Sequence, residues 1–509
     1  MSEAEPEPSP KLVRELGPVD ATMIVMGSMI GSGIFITSAE SARLVGSPGW
    51  LLAAWAIAGL LTVTGALCAS EVAAMMPRAG GQYVFLREAY GPSVGFMFGW
   101  SMFLVVQTGT IAAVAVAFAK FLGVLVPAIS AGSYPLFDPI HLGTSGYAIS
   151  LSAQQMIAVL MIALLTAVNT LGLRTGKLIQ NTFTFTKTAA LMALIVVGIF
   201  FGANRGAAAW TSSWWNPTAN GWTLQGAQKD LGVAGALGFA LLLGKAMVGP
   251  LFSQSAWNNV TFTGGEVREP GRTLPRALLV GCGTVVGLYL LANVAYIVTL
   301  PLDQIRGADQ GRVGTAVMKA VLGPVGVTFM AVAIMVSTFG CVNGLVLSGA
   351  RVLYAMAKDG LFFRQIGTTN AHHVPAVALV AQGVWSILIA LPVTVKVDPL
   401  PGEARYGNTY NQLLEFLIPV DLTFYMLMVG SVVMLRVKAP AADRPYRTPG
   451  YPLPVVLYLA IAGLLVADLV YLEPKTAGIG YAIALAGIPV YWFRSMGKER
   501  VADRGWTGK

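Results

Sequence analysis

Long apolar runs separated by short polar stretches dominate this chain. A helix needs about 20 predominantly apolar residues to cross a bilayer. Twelve runs meet that length, near 17–42, 48–74, 92–121, 151–171, 178–202, 232–265, 277–301, 324–356, 375–396, 411–435, 452–472 and 476–493. A membrane barrel would instead show alternating segments of about ten residues. Open sheet edges cannot face lipid, because their N–H and C=O groups would have no partner there. The pattern therefore predicts an all-α integral membrane protein. Residues 1–12, acidic and proline-rich, are expected to form a disordered cytoplasmic tail, and the apolar run after them is too long for a signal-peptide core. A second tail is expected at 495–509.

Two of the twelve runs carry unusual punctuation. The first contains Gly27-Ser28-Met29-Ile30-Gly31-Ser32-Gly33, and the sixth contains Gly249-Pro250-Leu251-Phe252-Ser253-Gln254-Ser255-Ala256-Trp257-Asn258. Glycine and serine weaken a helix, and proline removes a backbone donor. In lipid such an interruption is tolerated only where protein or a wet cavity satisfies the freed groups. A lone glycine-rich helix would read as tight packing. Two interruptions five runs apart predict instead an inverted repeat with a ligand site at its interface, helices 1 and 6 both being broken.

Composition agrees with a membrane protein: 55% of the 509 residues are hydrophobic and 11% charged, against about 25% charged in a typical soluble domain. The net charge of +9 taken alone suggests nucleic acid, but its placement does not. Most of the 33 Lys and Arg fall in alternate connections, including Arg78 and Arg87, the Arg268–Arg276 cluster, Arg436–Arg447 and the C-terminal tail. The loop 122–150 has none. Such asymmetry places both termini in the cytoplasm, so a nucleic-acid partner is not expected and a lipid bilayer is. Cys68, Cys282 and Cys341 lie singly in apolar runs without a CxxC spacing. His372 and His373 have no carboxylate or cysteine at ligand spacing, so no metal or cofactor is expected. No nucleophile–base pair marks an enzyme.

Several stretches together resemble the amino acid–polyamine–organocation superfamily, and within it the L-type amino acid transporter branch and its bacterial relatives. They are Met29-Ile30-Gly31-Ser32-Gly33-Ile34-Phe35, Pro77-Arg78-Ala79-Gly80-Gly81-Gln82-Tyr83, Leu86-Arg87-Glu88-Ala89-Tyr90-Gly91, Trp257-Asn258-Asn259-Val260, Gly265-Glu266-Val267-Arg268-Glu269-Pro270, the Arg351–Gly360 stretch and Arg444-Pro445-Tyr446-Arg447-Thr448-Pro449-Gly450-Tyr451-Pro452. The resemblance implies a LeuT-type fold with 12 transmembrane helices. Repeats at about 13–205 and 230–435 would form a ten-helix transport core over 13–435, with two peripheral helices over 436–494. It implies a sodium-independent secondary transporter of neutral L-amino acids, an exchanger working by alternating access. A proton-coupled, cationic amino acid or polyamine carrier stays open. So does a membrane sensor with a transporter fold, although the long soluble extensions that would favour it are not seen. Animal members of the branch join a heavy chain by a disulfide from the loop after span 3; loop 122–150 has no Cys, so no disulfide-linked heavy chain is expected.

The resemblance and the physics place the same site. Unwinding at Ile30, Gly31, Ser32 and Gly33 frees amide N–H groups at the N-terminus of a half-helix, a natural seat for a carboxylate. Carbonyls near Phe252, Ser253 and Ser255 would take an ammonium. Phe252 aligns with the family's aromatic gate, and Asn258 with a residue that supports the unwound turn. Ala256 and Gln254 depart from the pattern, which more often has glycine and an aromatic there, so the side-chain preference is where the resemblance is weakest. Lys187 lies ten residues inside its run, about 15 Å deep at 1.5 Å per residue. A charge at that depth is functional or paired. Relatives place such an ammonium where sodium-coupled members bind sodium, bridging spans 1 and 8. Contacts near Gly27 and near Ser337 and Thr338 are expected, with either a fixed structural charge or a titrating, coupling one. Asp421 and Gln107 are candidates for pocket lining or for neighbour hydrogen bonding, and Arg78, Glu266, Arg351 and Asp359 for ion pairs at the inner face.

Overall fold

The structure is a computed structural model that describes residues 16–78, 80–142, 147–171, 176–202, 213–228, 231–370, 374–397, 404–406 and 409–493. The expected tails, and His372 and His373, lie outside the described residues. Among the described residues, ten helices are long and apolar enough to cross a membrane, or eleven when the bent pair Pro18–Met29 (α1) and Gly33–Val45 (α2) is taken as one span. The others are α3 (Pro48–Met75), α5 (Pro92–Leu125), α6 (Ala153–Thr170), α7 (Gly176–Gly202), α8 and α9 (Gly235–Ala246 and Val248–Ser253, crossing together), α11 (Pro270–Thr299), α12 (Val313–Lys358), α14 (Thr409–Lys438), α15 (Leu453–Leu472) and α16 (Pro474–Phe493). Two short helices, α4 (Gln82–Tyr90) and α10 (Asn259–Phe262), lie beside the breaks, and α13 (Ala376–Ala390) is a 15-residue apolar helix.

Local chemistry sets these boundaries. Pro48 opens α3 and the Ser47 hydroxyl accepts from the Trp50 amide. Ser152 and Gln155 form a reciprocal capping box on α6. Pro270 opens α11, two turns earlier than the hydropathy pattern alone predicts. The long α12 turns at Gly323, whose φ of +65° only glycine adopts freely, just before Pro324.

The expected helix over 375–396 is realised only to Ala390. Pro392–Val397 is instead a strand (β3), where proline and the β-branched Val393, Thr394 and Val395 stop the helix. It joins a four-stranded antiparallel sheet in the order β1 (Ile140–Leu142), β2 (Tyr147–Ile149), β3 and β4 (Ala404–Tyr406). The protein is thus mostly helical with a small sheet over one end, which corrects the all-helical expectation. A π-helical segment, Met102–Val106, interrupts α5 and was likewise not anticipated.

Helix α3 packs along α11, α12 against α5 and α7, and α14 against α5, α15 and α16. A buried ion pair ties three of these regions together. Glu71 in α3, 1% exposed, accepts from Arg436 Nε and Nη2 of α14 at 2.9 and 2.7 Å and from the Thr448 amide at 2.8 Å. The Arg436 guanidinium in turn lies 3.8 Å from the centre of the Tyr451 ring. Paired arginine and backbone donors satisfy a carboxylate that would be costly to bury alone.

Candidate functional site

The first break is short and sharp. Helix α1 stops at Met29, Ile30 is extended with ψ of 95°, and α2 begins at Gly33 after a bend of 44°. Ile30 and Ser32 are fully buried. Side chains from α7 and α11 bind backbone carbonyls on both sides of the break. Lys187 Nζ donates to the Gly27 carbonyl, Tyr289 Oη to the Met29 carbonyl at 2.9 Å, and Tyr296 Oη to the Ile34 carbonyl at 3.1 Å. Lys187 is 2% exposed.

The second break runs from the end of α9 to α10. Ala256 sits in the left-handed region with φ of +63°, so this turn takes the conformation that a glycine would adopt at no cost. Side chains from α4 and α14 hold it. The Ala256 amide donates to Tyr425 Oη at 3.1 Å, Tyr425 Oη donates to Asn258 Oδ1 at 3.1 Å, and Asn258 Nδ2 donates to Gln82 Oε1 at 2.6 Å. Trp257 stacks on Tyr425 with centroids 5.2 Å apart. Asn258 is thus a bracing residue of the turn. The Phe252 carbonyl already accepts the Ser255 amide at 3.1 Å and the Ser255 hydroxyl at 2.8 Å. The Ser253 hydroxyl donates to Gly249 O at 2.7 Å, and Gln254 Nε2 donates to the Trp55 carbonyl at 3.4 Å.

The two breaks touch. A β-carbon on Gly33 would lie 2.1 Å from Ser253 Oγ and 3.1 Å from Ser253 Cα. Tyr410, at the start of α14, joins them from one side. Its hydroxyl is 3.2 Å from Ser32 Oγ, and its ring meets Phe252 edge-on with centroids 6.0 Å apart. Gly31, by contrast, has room: a β-carbon there would be 3.6 Å from Cys341 Sγ.

A cavity of about 230 Å³ approaches this junction from the end where α1 begins. Leu16, Asp20, Glu266 and Arg351 line its mouth, and Gly27, Ser28, Cys341 and Leu345 its deep end. Drug-sized pockets run to roughly 300–1,000 Å³, so this volume suits a small metabolite. It reaches the first break at Gly27 and Ser28 but not Ile30–Gly33 or Phe252–Ser255, which are packed against each other. At the opposite end the junction is covered: Lys120 lies 5.2 Å above the Tyr410 ring and Arg306 binds the carbonyls of Gly46 and Asn220 at 2.6 and 3.0 Å.

The other sequence candidates fall as follows. The Lys187 ammonium meets Gly27 as expected, but on α12 the Thr338 hydroxyl is spent on Ile334 and Met335 carbonyls and the Ser337 hydroxyl has no partner. Gln107 donates to the Leu345 carbonyl at 2.7 Å and to Ser348 Oγ at 3.2 Å, which makes it a brace between α5 and α12. Glu266 pairs with Arg351 at 3.7 Å. Asp359 is held by Arg87 rather than by Arg78, and by Tyr83 Oη at 2.8 Å. Burial, with donation to that carboxylate, holds the Tyr83 phenol above its ordinary value. Lys245 pairs with Glu473 and stands 3.9 Å from Glu415. Among the described residues, no cluster of His, Cys, Asp and Glu could hold a metal. Tyr289, Tyr296, Tyr410 and Tyr425 were not anticipated from sequence. Their only mark there is a phenol inside an apolar run, which does not tell where the hydroxyl goes.

Known proteins share this organisation. The family described as amino acid permease matches residues 16–493. The large neutral amino acids transporter small subunit 2 of Homo sapiens is 28% identical over 482 residues, covering 94% of this chain and 80% of that protein. The serine/threonine exchanger SteT of Bacillus subtilis (strain 168) is 27% identical over 484 residues, covering 94% and 97%. The Asc-type amino acid transporter 1 of Mus musculus is 28% identical over 490 residues, covering 94% and 81%.

Proposed function

This chain belongs to the amino acid permease family, and from that premise we propose that it exchanges neutral L-amino acids across the cell membrane by alternating access, without sodium. In this reading the multi-pass protein has twelve spans in a LeuT-type five-plus-five inverted repeat, the short α13 included. Residues 13–205 and 230–435 are the repeats, 436–494 the peripheral helices, and both termini are cytoplasmic.

The observation that carries the proposal is the direct contact of the two breaks at Gly33 and Ser253, beside a cavity of about 230 Å³ that reaches the first of them at Gly27 and Ser28. A substrate seated there lies between the amides of Gly31, Ser32 and Gly33 and the carbonyls of the Phe252–Ser255 turn. The half-helix α2 presents its positive end to the α-carboxylate. The Phe252 carbonyl, now satisfied by Ser255, takes the substrate ammonium when that turn opens. Phe252 closes over the ligand against Tyr410. Gln254 and Asn258 shape and brace the turn rather than touch the head group. Lys187 supplies the cation that a sodium ion would otherwise supply, which fits an ammonium fixed on the Gly27 carbonyl. The names of SteT and of the large neutral amino acids transporter small subunit support neutral substrates and exchange.

The test is radiolabelled uptake into proteoliposomes of the full chain. Uptake of serine, threonine or a large neutral amino acid is expected to need unlabelled amino acid inside and to ignore replacement of sodium by choline. Strong uptake into empty vesicles would overturn exchange, and a sodium requirement would overturn the role given to Lys187.

A further inference from the structure

A second, smaller cavity of about 20 Å³ lies behind the second break, away from the path just described. Thr62 of α3, Gln254 and Trp257 of the break, Asp421 and Tyr425 of α14, and Tyr458 of α15 line it, together with leucine and isoleucine side chains. From this arrangement we infer that Asp421 and Gln254 form a proton-binding site, in which a neutral Asp421 carboxyl is linked through one water molecule to the amide oxygen of Gln254.

Two independent orphan groups point to a ligand here. Asp421 is 9% exposed and makes no hydrogen bond or ion pair among the described residues. Gln254 is 0% exposed; its Nε2 is spent on the Trp55 carbonyl, and its Oε1 has no partner. The amide orientation is fixed by chemistry, since only the nitrogen can donate to a carbonyl. An amide with an unpaired oxygen and a carboxyl therefore line the same void.

Volume and ligand number decide what fills it. One water needs about 10–15 Å³ of such space and two or more polar partners. A hard metal cation takes about six oxygens; of the side-chain oxygens lining this void, those of Ser255 and Tyr425 are already hydrogen-bonded within the protein, and the remainder, from Thr62, Gln254, Asp421 and Tyr458, are fewer than such a cation takes. A proton requires only the carboxyl itself. The titratable groups around it cannot supply a counter-charge. The Tyr425 hydroxyl is engaged by the Ala256 amide and Asn258, Tyr458 is the phenol facing from α15, and no Lys, Arg, His or second carboxylate lines the cavity. An ionised, unpaired carboxylate in membrane interior is strongly disfavoured. Proton uptake removes the charge and adds a donor beside the Thr62 and Tyr458 hydroxyls.

The site lies beside the second break, the element that moves in the proposed transport cycle. Gln254 and Ser255 belong to the second break, while Asp421 sits on α14. A movement of the break that admits water to the cavity would release the proton, so that the conformational change carries a pH dependence. That last link rests on the transport reading; the proton site does not.

The experiment is infrared difference spectroscopy of the full chain in lipid vesicles over a pH series, with Asp468→Asn as background to remove another buried carboxyl. A carboxylic acid C=O band is expected at neutral pH, lost in Asp421→Asn and shifted in Gln254→Met. Absence of a band assignable to Asp421, or its removal by sodium or potassium at fixed pH, would overturn the site. If Asp421→Asn does not fold, the Gln254→Met shift alone decides, and an unshifted band overturns the pairing. Exchange by Asp421→Asn is then expected to lose the pH dependence of the parent. A retained profile sinks the link to transport and leaves the spectroscopic site standing.

Discussion

Two glycines two residues apart have different reasons to be glycine. At Gly33 a β-carbon would collide with Ser253 Oγ at 2.1 Å and approach its Cα to 3.1 Å, so backbone must move. At Gly31 the same atom would meet only ordinary contacts, with Cys341 Sγ at 3.6 Å. Gly33→Ala is therefore expected to destabilise the protein by about 1–3 kcal/mol, the usual range for overpacking, and Ser253→Gly to restore part of that loss. Gly31→Ala is expected to unfold at the parent's temperature and yet to lose exchange, because in the proposed mechanism the substrate's carboxylate is seated against this backbone. Thermal unfolding in detergent beside counterflow in vesicles separates the two. Normal exchange by Gly31→Ala would remove that residue from the binding surface. Ala256 is the converse case: a β-carbon held at φ of +63° costs about 1 kcal/mol, so Ala256→Gly is expected to be neutral or mildly stabilising in the same unfolding assay.

At the level of elements, the sequence announced interruptions better than it announced partners. The first and sixth runs were legible as broken helices because Gly27–Gly33 and Gly249–Pro250 leave a local mark on helix stability. The strand at Pro392–Val397 was not legible as such, because a short apolar run with β-branched residues suits either element. Its pairing with Tyr147–Ile149 is a contact between segments far apart in the chain. The phenols that bind the segments around the two breaks were silent for the same reason. Lys187 was the exception: a cation deep in an apolar run needs an acceptor, and the broken helix supplied one at Gly27. The bond pins α7 to the end of α1. Lys187→Met leaves that carbonyl buried without a donor, a cost of about 1–3 kcal/mol. Exchange is expected to be lost at every pH, with a lowered unfolding temperature. A profile merely displaced along the pH axis would instead assign Lys187 a titrating role, and unchanged exchange would deny it any part in coupling.

For the whole molecule, the asymmetry of access is what distinguishes a transporter conformation from a packed helical bundle. One end of the breaks is covered by Lys120, Tyr410 and the Arg306 contacts to Gly46 and Asn220. The other end admits a 230 Å³ cavity past Glu266 and Arg351 to Cys341. The three cysteines sample this difference, since Cys68 and Cys282 are fully buried away from the cavity while Cys341 lines it at 7% exposure. In the proposed topology the open end faces the cytoplasm. A membrane-impermeant thiol reagent is therefore expected to label Cys341 in inside-out vesicles and not in right-side-out ones. Saturating substrate should slow the labelling, because in the proposed mechanism the ligand is bound at Gly31, against which Cys341 Sγ packs. Labelling from the outer face would reverse the orientation drawn from the charges. Labelling from the inner face that substrate leaves unchanged would retain the orientation but separate this cavity from the substrate's route.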